Sequence, residues 1–499
     1  MKPLRQDKRR LSTISATFIV LLATVLLAGC AVGPDYQRPQ AVAAMPGAYA
    51  SATNDWKLAE PRADLPKGEW WKMFGDEDLN RLEAGAAAAN QKLKSAVARF
   101  DEARATTEAT RSGLFPQVNL SPVATRQGVS QNRPLSGKPA GSKNQWTYDD
   151  FVVPLDFSYE LDLWGRVRRS VESARASEQA STDDLEAIRL SIQAEVATDY
   201  FTLRALDAES QLLRSSVDVF RKSLELTQNR RVGGIASDLD VAQAETVLKT
   251  TQAELPATLL QRSQFEHALA VLTGQPASAF RVSERSLGIV PPVVPPGLPS
   301  ELLERRPDIA AAERRMAAAN AGIGVAKGAF FPTIQLNGLA GFESINAGTL
   351  FNWSSRLWSV GPSLTMPIFD AGRNNANLKL ARATYEETVA NYRQTVLAAF
   401  GEVEDNLASQ NLLASQHDAE VDALQAAQKQ RKIANNRYRA GLVTFLEVAT
   451  AEITALDIER TTVQLRGEQL VAAVALVKSL GGGWENASLA AQSAQAGSP

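Results

Sequence analysis

The sequence predicts a mainly α-helical chain made of two tandem repeats, each carrying a pair of β-strands. Three observations lead there. Short motifs recur at fixed spacing, long stretches lack glycine and proline, and several runs alternate polar and apolar residues.

The duplication comes first, because internal repeats constrain everything else. GLFPQVNL from Gly113 matches AFFPTIQL from Ala329, which puts the Phe-Pro pairs 216 positions apart. WGRVRRSVESARA from Trp164 matches AGRNNANLKLARA from Ala371, and GGIASDLDVAQAE from Gly233 matches AGLVTFLEVATAE from Ala440; both spacings are 207. The first copy therefore holds about nine extra residues between its Phe-Pro and Gly-Arg marks, and the polar loop 131–145 is where they fit.

Each copy opens with an Ala-rich helix, about 76–112 and 300–328. No glycine or proline follows Gly165 until Gly233; as a single helix that interval would run roughly 100 Å. The second copy has only Gly401 between Gly372 and Gly441. A turn at the repeated glycine and a returning helix to about 272 or 480 complete each copy. Helices this long need lateral partners.

The strands are expected at about 117–130, 149–163, 333–344 and 357–369. In DFVVPLDFSYELDL, Phe151, Val153, Leu155, Phe157, Tyr159, Leu161 and Leu163 share one face, and Asp150, Pro154, Asp156, Ser158, Glu160 and Asp162 the other, with Val152 the exception. Trp358, Val360, Leu364, Met366 and Ile368 alternate with Ser359, Gly361, Ser363 and Thr365 in the second copy. About 9 to 11 tilted residues cross an outer membrane. Four strands cannot close a barrel, which needs about eight, and open edges in lipid are prohibitive. If these strands lie in a membrane, several copies share one barrel, and Asp156, Ser158 and Glu160 face its lumen.

The N-terminus reads as an export signal. Lys2, Arg5, Lys8, Arg9 and Arg10 precede a mostly apolar run from Ile14 to Ala28. Leu27-Ala28-Gly29-Cys30 resembles the lipobox of bacterial lipoproteins, which implies lipidation of Cys30, the single cysteine. Ala31 is not the aspartate that holds such lipoproteins at the inner membrane, so the resemblance points to the outer membrane, with the chain lipid-anchored there and largely periplasmic. The divisions expected are a signal peptide 1–29, an extended arm 30–74, a first repeat 75–275, a Pro-rich linker 276–299, a second repeat 300–483 and a disordered tail 484–499.

Lysine and arginine number 53 against 55 acidic residues, with no long basic run, which argues against a nucleic-acid partner. The two histidines, His267 and His417, sit in polar helical segments without the companions of a metal site. With no nucleophile elbow, Walker loop or dinucleotide fingerprint, no enzyme and no cofactor is expected beyond the lipid on Cys30.

Two tandem helix–hairpin–helix copies, the Phe-Pro and Gly-Arg marks and the start CAVGPDYQRP resemble the TolC/OprM class of outer-membrane efflux channels, in its NodT-type lipoprotein branch. The resemblance runs from Cys30 to about Gly483. It implies a homotrimer with a twelve-stranded barrel, four strands per chain, continued by a periplasmic tube of helices. It also implies a periplasmic adaptor, an inner-membrane transporter of RND type as energy source, and small-molecule cargo such as drugs, toxic compounds or metals. By the same resemblance the tips, about 231–237 and 438–444, dock the adaptor through Gly234, Ile235, Gly441 and Leu442. Asp240, Arg437, Tyr438, Leu446, Glu447 and Thr450 would form the periplasmic gate, with Thr450 standing where the family often has aspartate. Two alternatives remain open: an exit duct for type I protein secretion, and a lipid-anchored helical scaffold without a pore.

Overall fold

In the computed structural model, residues 31–40, 68–129, 146–292 and 306–482 are described. The signal segment, Cys30, residues 41–67 of the expected arm, the polar loop 131–145, the Pro-rich linker from residue 293 on, the start of the second repeat (300–305) and the tail lie outside them. The chain divides into two compact units.

The first unit is built around one antiparallel sheet. Strands β1 (Gln117–Leu120), β2 (Val123–Val129), β3 (Trp146–Leu161), β4 (Thr333–Ser344) and β5 (Arg356–Thr365) occupy four positions, because β1 and β2 both pair with the same edge of β3. The expected strand 117–130 is interrupted at Ser121-Pro122, since Pro122 has no N–H to give to the ladder. β5 stops at Thr365 rather than near 369, with Pro367 closing it for the same reason. β3 pairs with β4, joining the two copies, and leaves β1/β2 and β5 as open edges.

The register carries the alternation across the sheet. One face has rows Leu120–Leu155–Ala340–Trp358 and Val118–Phe157–Gly338–Val360, then Tyr159–Leu336–Pro362 and Leu161–Ile334–Leu364. The opposite face has Asn119–Asp156–Leu339–Ser359, Gln117–Ser158–Asn337–Gly361 and Glu160–Gln335–Ser363. Val152 breaks the polar pattern and pairs with Val123.

At the base of the sheet, Trp164 stacks on Phe331 with ring centroids 4.9 Å apart and donates to the Pro332 carbonyl at 2.8 Å. The segment 31–36 is tied down beside it. The Val32 N–H donates to the Trp164 carbonyl at 2.9 Å, Arg169 pairs with Asp35 at 2.7 Å, and the Tyr36 hydroxyl donates to Glu313 at 2.6 Å. The backbone of Gly33 comes so close to Gly324 that a Cβ on it would sit 2.6 Å from the Gly324 Cα.

The second unit is helical among its described residues, and several of the helices have part of their length in the first unit. α1 (Glu77–Ala89) and α2 (Gln91–Ser112) replace the single helix expected over 76–112. The break is at Asn90, whose side-chain oxygen accepts from the Leu93 N–H at 3.1 Å while its amide donates to the Leu272 carbonyl at 2.8 Å. α3 (Arg166–Val232) and α4 (Asp238–Leu272) form the first long hairpin, and α6 (Arg373–Arg439) and α7 (Phe445–Ser479) the second; α5 (Pro307–Gly328) precedes β4. Gly401 does not interrupt α6.

The copies match in length as well as order. α2 and α5 have 22 residues each, α3 and α6 have 67, and α4 and α7 have 35. The core between the helices holds Tyr200, Phe201, Leu203, Leu269, Leu470 and Leu476, all fully enclosed. Each such side chain contributes about 1.5–3 kcal/mol of apolar burial. Beside it the enclosed Asp207 accepts from Arg204 at 2.8 Å and Arg262 at 2.6 Å, and Arg204 and Arg285 both reach Asp78. This network ties α1, α3, α4 and the chain after α4 together; removing one partner would leave a buried charge at a cost of about 3–5 kcal/mol.

Candidate functional site

The two hairpin turns have the same backbone. At the first, the Gly234 N–H donates to the Arg231 carbonyl and the Ile235 N–H to the Arg230 carbonyl; at the second, Gly441 donates to Tyr438 and Leu442 to Arg437. This is the helix-ending motif that needs a left-handed residue, and Gly234 and Gly441 both have φ 76°. Both turns leave an apolar residue projecting: Ile235 is 69% and Leu442 is 70% exposed. Val232, Leu239 and Leu446 add to that apolar surface.

Side chains join the tips inside one chain. Asp240 closes a capping box with Ser237, taking the Ser237 N–H at 2.8 Å on one oxygen. Its other oxygen accepts the Phe445 N–H, the first residue of α7, at 3.0 Å. Burial pushes the Asp240 carboxyl up, but the hydrogen bonds from Ser237 and Phe445 and the charge of Arg230 outweigh it and hold the group below its ordinary value. Tyr438 is enclosed: its ring meets Phe445 edge-on at 5.6 Å, its hydroxyl donates to Thr227 at 3.3 Å, and the Arg230 guanidinium lies 4.6 Å over it. Arg230 also donates to the Arg439 carbonyl at 3.2 Å.

The remaining expected gate residues lie together on the open side. Arg437, Leu446, Glu447 and Thr450 line one groove of about 670 Å³ between α6 and α7, with Lys429 and Ile433 further along it. Glu447 approaches Arg437 at 3.4 Å, both about half exposed. The Thr450 hydroxyl is occupied by the Leu446 carbonyl at 2.9 Å. The structure thus groups Arg437, Leu446, Glu447 and Thr450, and sets Asp240 and Tyr438 in the seam between hairpins. Sequence reasoning missed Arg230, whose stacking on Tyr438 has no signature in spacing. In the sheet, Asp156, Ser158 and Glu160 share the polar face, and Glu160 is tied to Arg166 by bonds of 2.6 and 3.1 Å.

Two carboxyls away from the tips are shifted upward by burial. Glu83 is 1% exposed with neither carboxylate oxygen bonded, and burial raises it to about 9. Asp199 is raised to about 6, by burial first and then by Glu195. His267 and His417 lie on α4 and α6.

Comparison with known proteins gives this geometry a context. The family model described as "Outer membrane efflux protein" matches residues 84–275 and 298–482. The pyoverdine export outer membrane protein OpmQ of Pseudomonas aeruginosa is 34% identical over 439 residues, covering 87% of this chain and 92% of that protein. The toluene efflux pump outer membrane protein TtgF of Pseudomonas putida is 33% identical over 483 residues, covering 94% and 98%. The outer-membrane channel OprN superimposes with a TM-score of 0.82 at 32% identity, over 91% of this chain and 100% of that one. A two-part match over both copies, relatives of nearly the same length and the same fold in a solved channel agree: the chain belongs to the outer membrane efflux protein family.

Proposed function

We propose that this chain is the exit duct of a tripartite efflux pump, passing small molecules from the periplasm to the exterior without chemistry of its own. The observation that carries the reading is the sheet. It has one apolar and one polar face over four strand positions, with both edges open. In lipid such edges must be paired, and three copies would make twelve strands, above the minimum of about eight. The apolar face would then meet lipid, while Asp156, Ser158 and Glu160 would line the lumen.

The other parts follow from that closure. A lipid on Cys30 would anchor the chain beside the sheet, because Ala31 and Val32 are held against Gly165 and Trp164. The exposed tips carrying Ile235 and Leu442 suit an adaptor's helical hairpins, with an inner-membrane transporter of RND type supplying energy. Repeated around a three-fold axis, Glu447 and Arg437 would ring a narrow opening and set its field. OpmQ and TtgF are named for pyoverdine export and toluene efflux, and those two cargoes are chemically unlike. A shared duct would therefore leave selection to the inner-membrane partner.

The test is reconstitution of the detergent-extracted protein in planar bilayers, with its mass measured in parallel. A trimer that conducts ions supports the reading; a stable monomer that does not conduct overturns it. Cysteine crosslinking from Leu442→Cys to an adaptor in intact cells probes the docking surface separately.

A further inference from the structure

The loop between β4 and β5 turns its aromatic side chains to the apolar side of the sheet. Phe342 and Arg356 are paired in register and share that side with Trp358 in the next row. Phe351 packs edge-on against Phe342 at 5.7 Å, and the Arg356 guanidinium lies 4.3 Å over the Trp353 ring. Those two contacts bring Phe351 and Trp353 to the same side. The loop is held in this shape from within. Asn346 caps its first turn through Gly348 at 2.8 Å, Ser355 donates to the Thr349 carbonyl at 2.9 Å, and Leu350 is buried beneath. Phe351, Trp353 and Trp358 nevertheless stand 71–76% exposed.

Arg356 is the cation of this patch. Among the described residues it pairs with no carboxylate; its one polar contact is a 3.4 Å bond to the Trp353 carbonyl. Arg126, the other arginine on this face near the hairpin ends, already has Asp149 at 3.8 Å. From the row of Arg356 to that of Leu364 the apolar face runs about 27 Å along the strands, which at a tilt of about 40° is roughly 20 Å of height and fills most of the apolar band of about 25 Å, with Arg356 in its outermost row. Arg356 therefore sits where that band ends, at the sheet end away from the helices, with aromatic rings on the headgroup level. A guanidinium stacked on one face keeps its N–H fork free and suits a phosphate.

We propose that Arg356, backed by Trp353, binds an anionic phosphomonoester on a lipid headgroup in the outer-facing leaflet, a group whose charge is not cancelled within the headgroup as it is in a zwitterionic lipid. This rests on the reading that the sheet lies in the membrane. The contact would fix the height of the barrel at the hairpin end and hold the β4–β5 loop down on the lipid.

The experiment uses the full-length trimer in phosphatidylcholine nanodiscs doped with lipid A, with retained lipid A counted by native mass spectrometry. Conductance of the same preparation reports insertion, so a preparation that neither assembles nor conducts defeats the membrane reading itself. With insertion intact, Arg356→Gln should lower retention about tenfold. Trp353→Phe should stay near wild type, and Arg126→Gln should change retention less than Arg356→Gln. Dephosphorylated lipid A should be retained no better than phosphatidylcholine, and millimolar inorganic phosphate should not displace the lipid. Equal retention by Arg356→Gln, or equal retention of the dephosphorylated lipid, overturns the assignment. So does a loss of trimer stability in Arg356→Gln with retention unchanged, which would make Arg356 an intersubunit contact instead.

Discussion

At the first tip both oxygens of Asp240 are committed to backbone N–H groups, one in its own turn and one at the start of α7. At the second tip, 207 positions on, Glu447 meets only a half-exposed guanidinium at 3.4 Å. The two turns have the same hydrogen-bond pattern and the same φ at glycine. They also differ in the cap: Ser237 accepts from Asp240, whereas Thr444 makes no side-chain cap bond. Duplication has kept the backbone while the side chains have taken different tasks. The first tip fastens the two hairpins together, and the second leaves its carboxylate to the solvent.

The sharpest way to break that contrast is Arg230→Ala. Arg230 crosses the seam twice, over Tyr438 and onto the Arg439 carbonyl. Losing a half-buried cation–π contact and a charged hydrogen bond would cost about 2–3 kcal/mol. If opening parts the hairpins, the open population should rise roughly 30- to 140-fold, seen as a higher resting conductance in planar bilayers. Unchanged conductance would show that the seam is architectural and does not govern opening.

Next comes a buried group with no seam to close. Glu83 sits on α1, and its raised value makes folding favour the protonated form. Stability is then greatest below the ordinary carboxyl range near pH 4, declines as pH rises, and levels off above about 9. Glu83→Gln, which mimics the protonated acid, should match wild type at pH 4 and exceed it by about 3 kcal/mol at pH 7. Thermal unfolding at several pH values would read this. A constant difference across pH would show that ionisation of Glu83 is not involved.

Asp240→Ala should have a smaller effect, about 1 kcal/mol, the usual worth of a cap. Here the sign is reversed, because the folded carboxyl is held below its ordinary value. The stabilisation is present above the ordinary carboxylate range and is lost as pH falls through the folded value. Wild type should therefore approach the variant only under strongly acid conditions, monitored as hydrogen exchange at the Phe445 N–H.

How much of this could be read in advance follows the kind of interaction. The repeats, the helix lengths and the two faces of the sheet are local and periodic, so motif spacing and alternation reveal them. Asn90 was missed because it breaks a good Ala-rich helix by capping the next one and bonding Leu272, which lies 182 residues away. Glu83 looks like an ordinary surface charge within LEAGAAAA, and only packing removes its water. At the tips, the Gly-apolar pattern marked the turns, yet the bond from Phe445 to Asp240 joins residues 205 apart and has no local trace.

The smallest effect tests the free side of the comparison. Thr450 lies one helical turn beyond Leu446 and lines the same groove as Glu447 and Arg437. Its hydroxyl bonds back to its own helix, so Thr450→Asp would release that bond and add a carboxylate at an exposed helix position. Such a surface change should alter stability by no more than about 0.5 kcal/mol. The field in the groove should respond more than the fold, since two carboxylates would then face one guanidinium. Reversal potentials in a salt gradient should shift toward greater cation preference, and Glu447→Gln should shift them the other way. If neither substitution moves the reversal potential while Arg230→Ala still raises conductance, the second tip's carboxylate plays no part in selectivity, and the division between fastening and field-setting tips fails on that side alone.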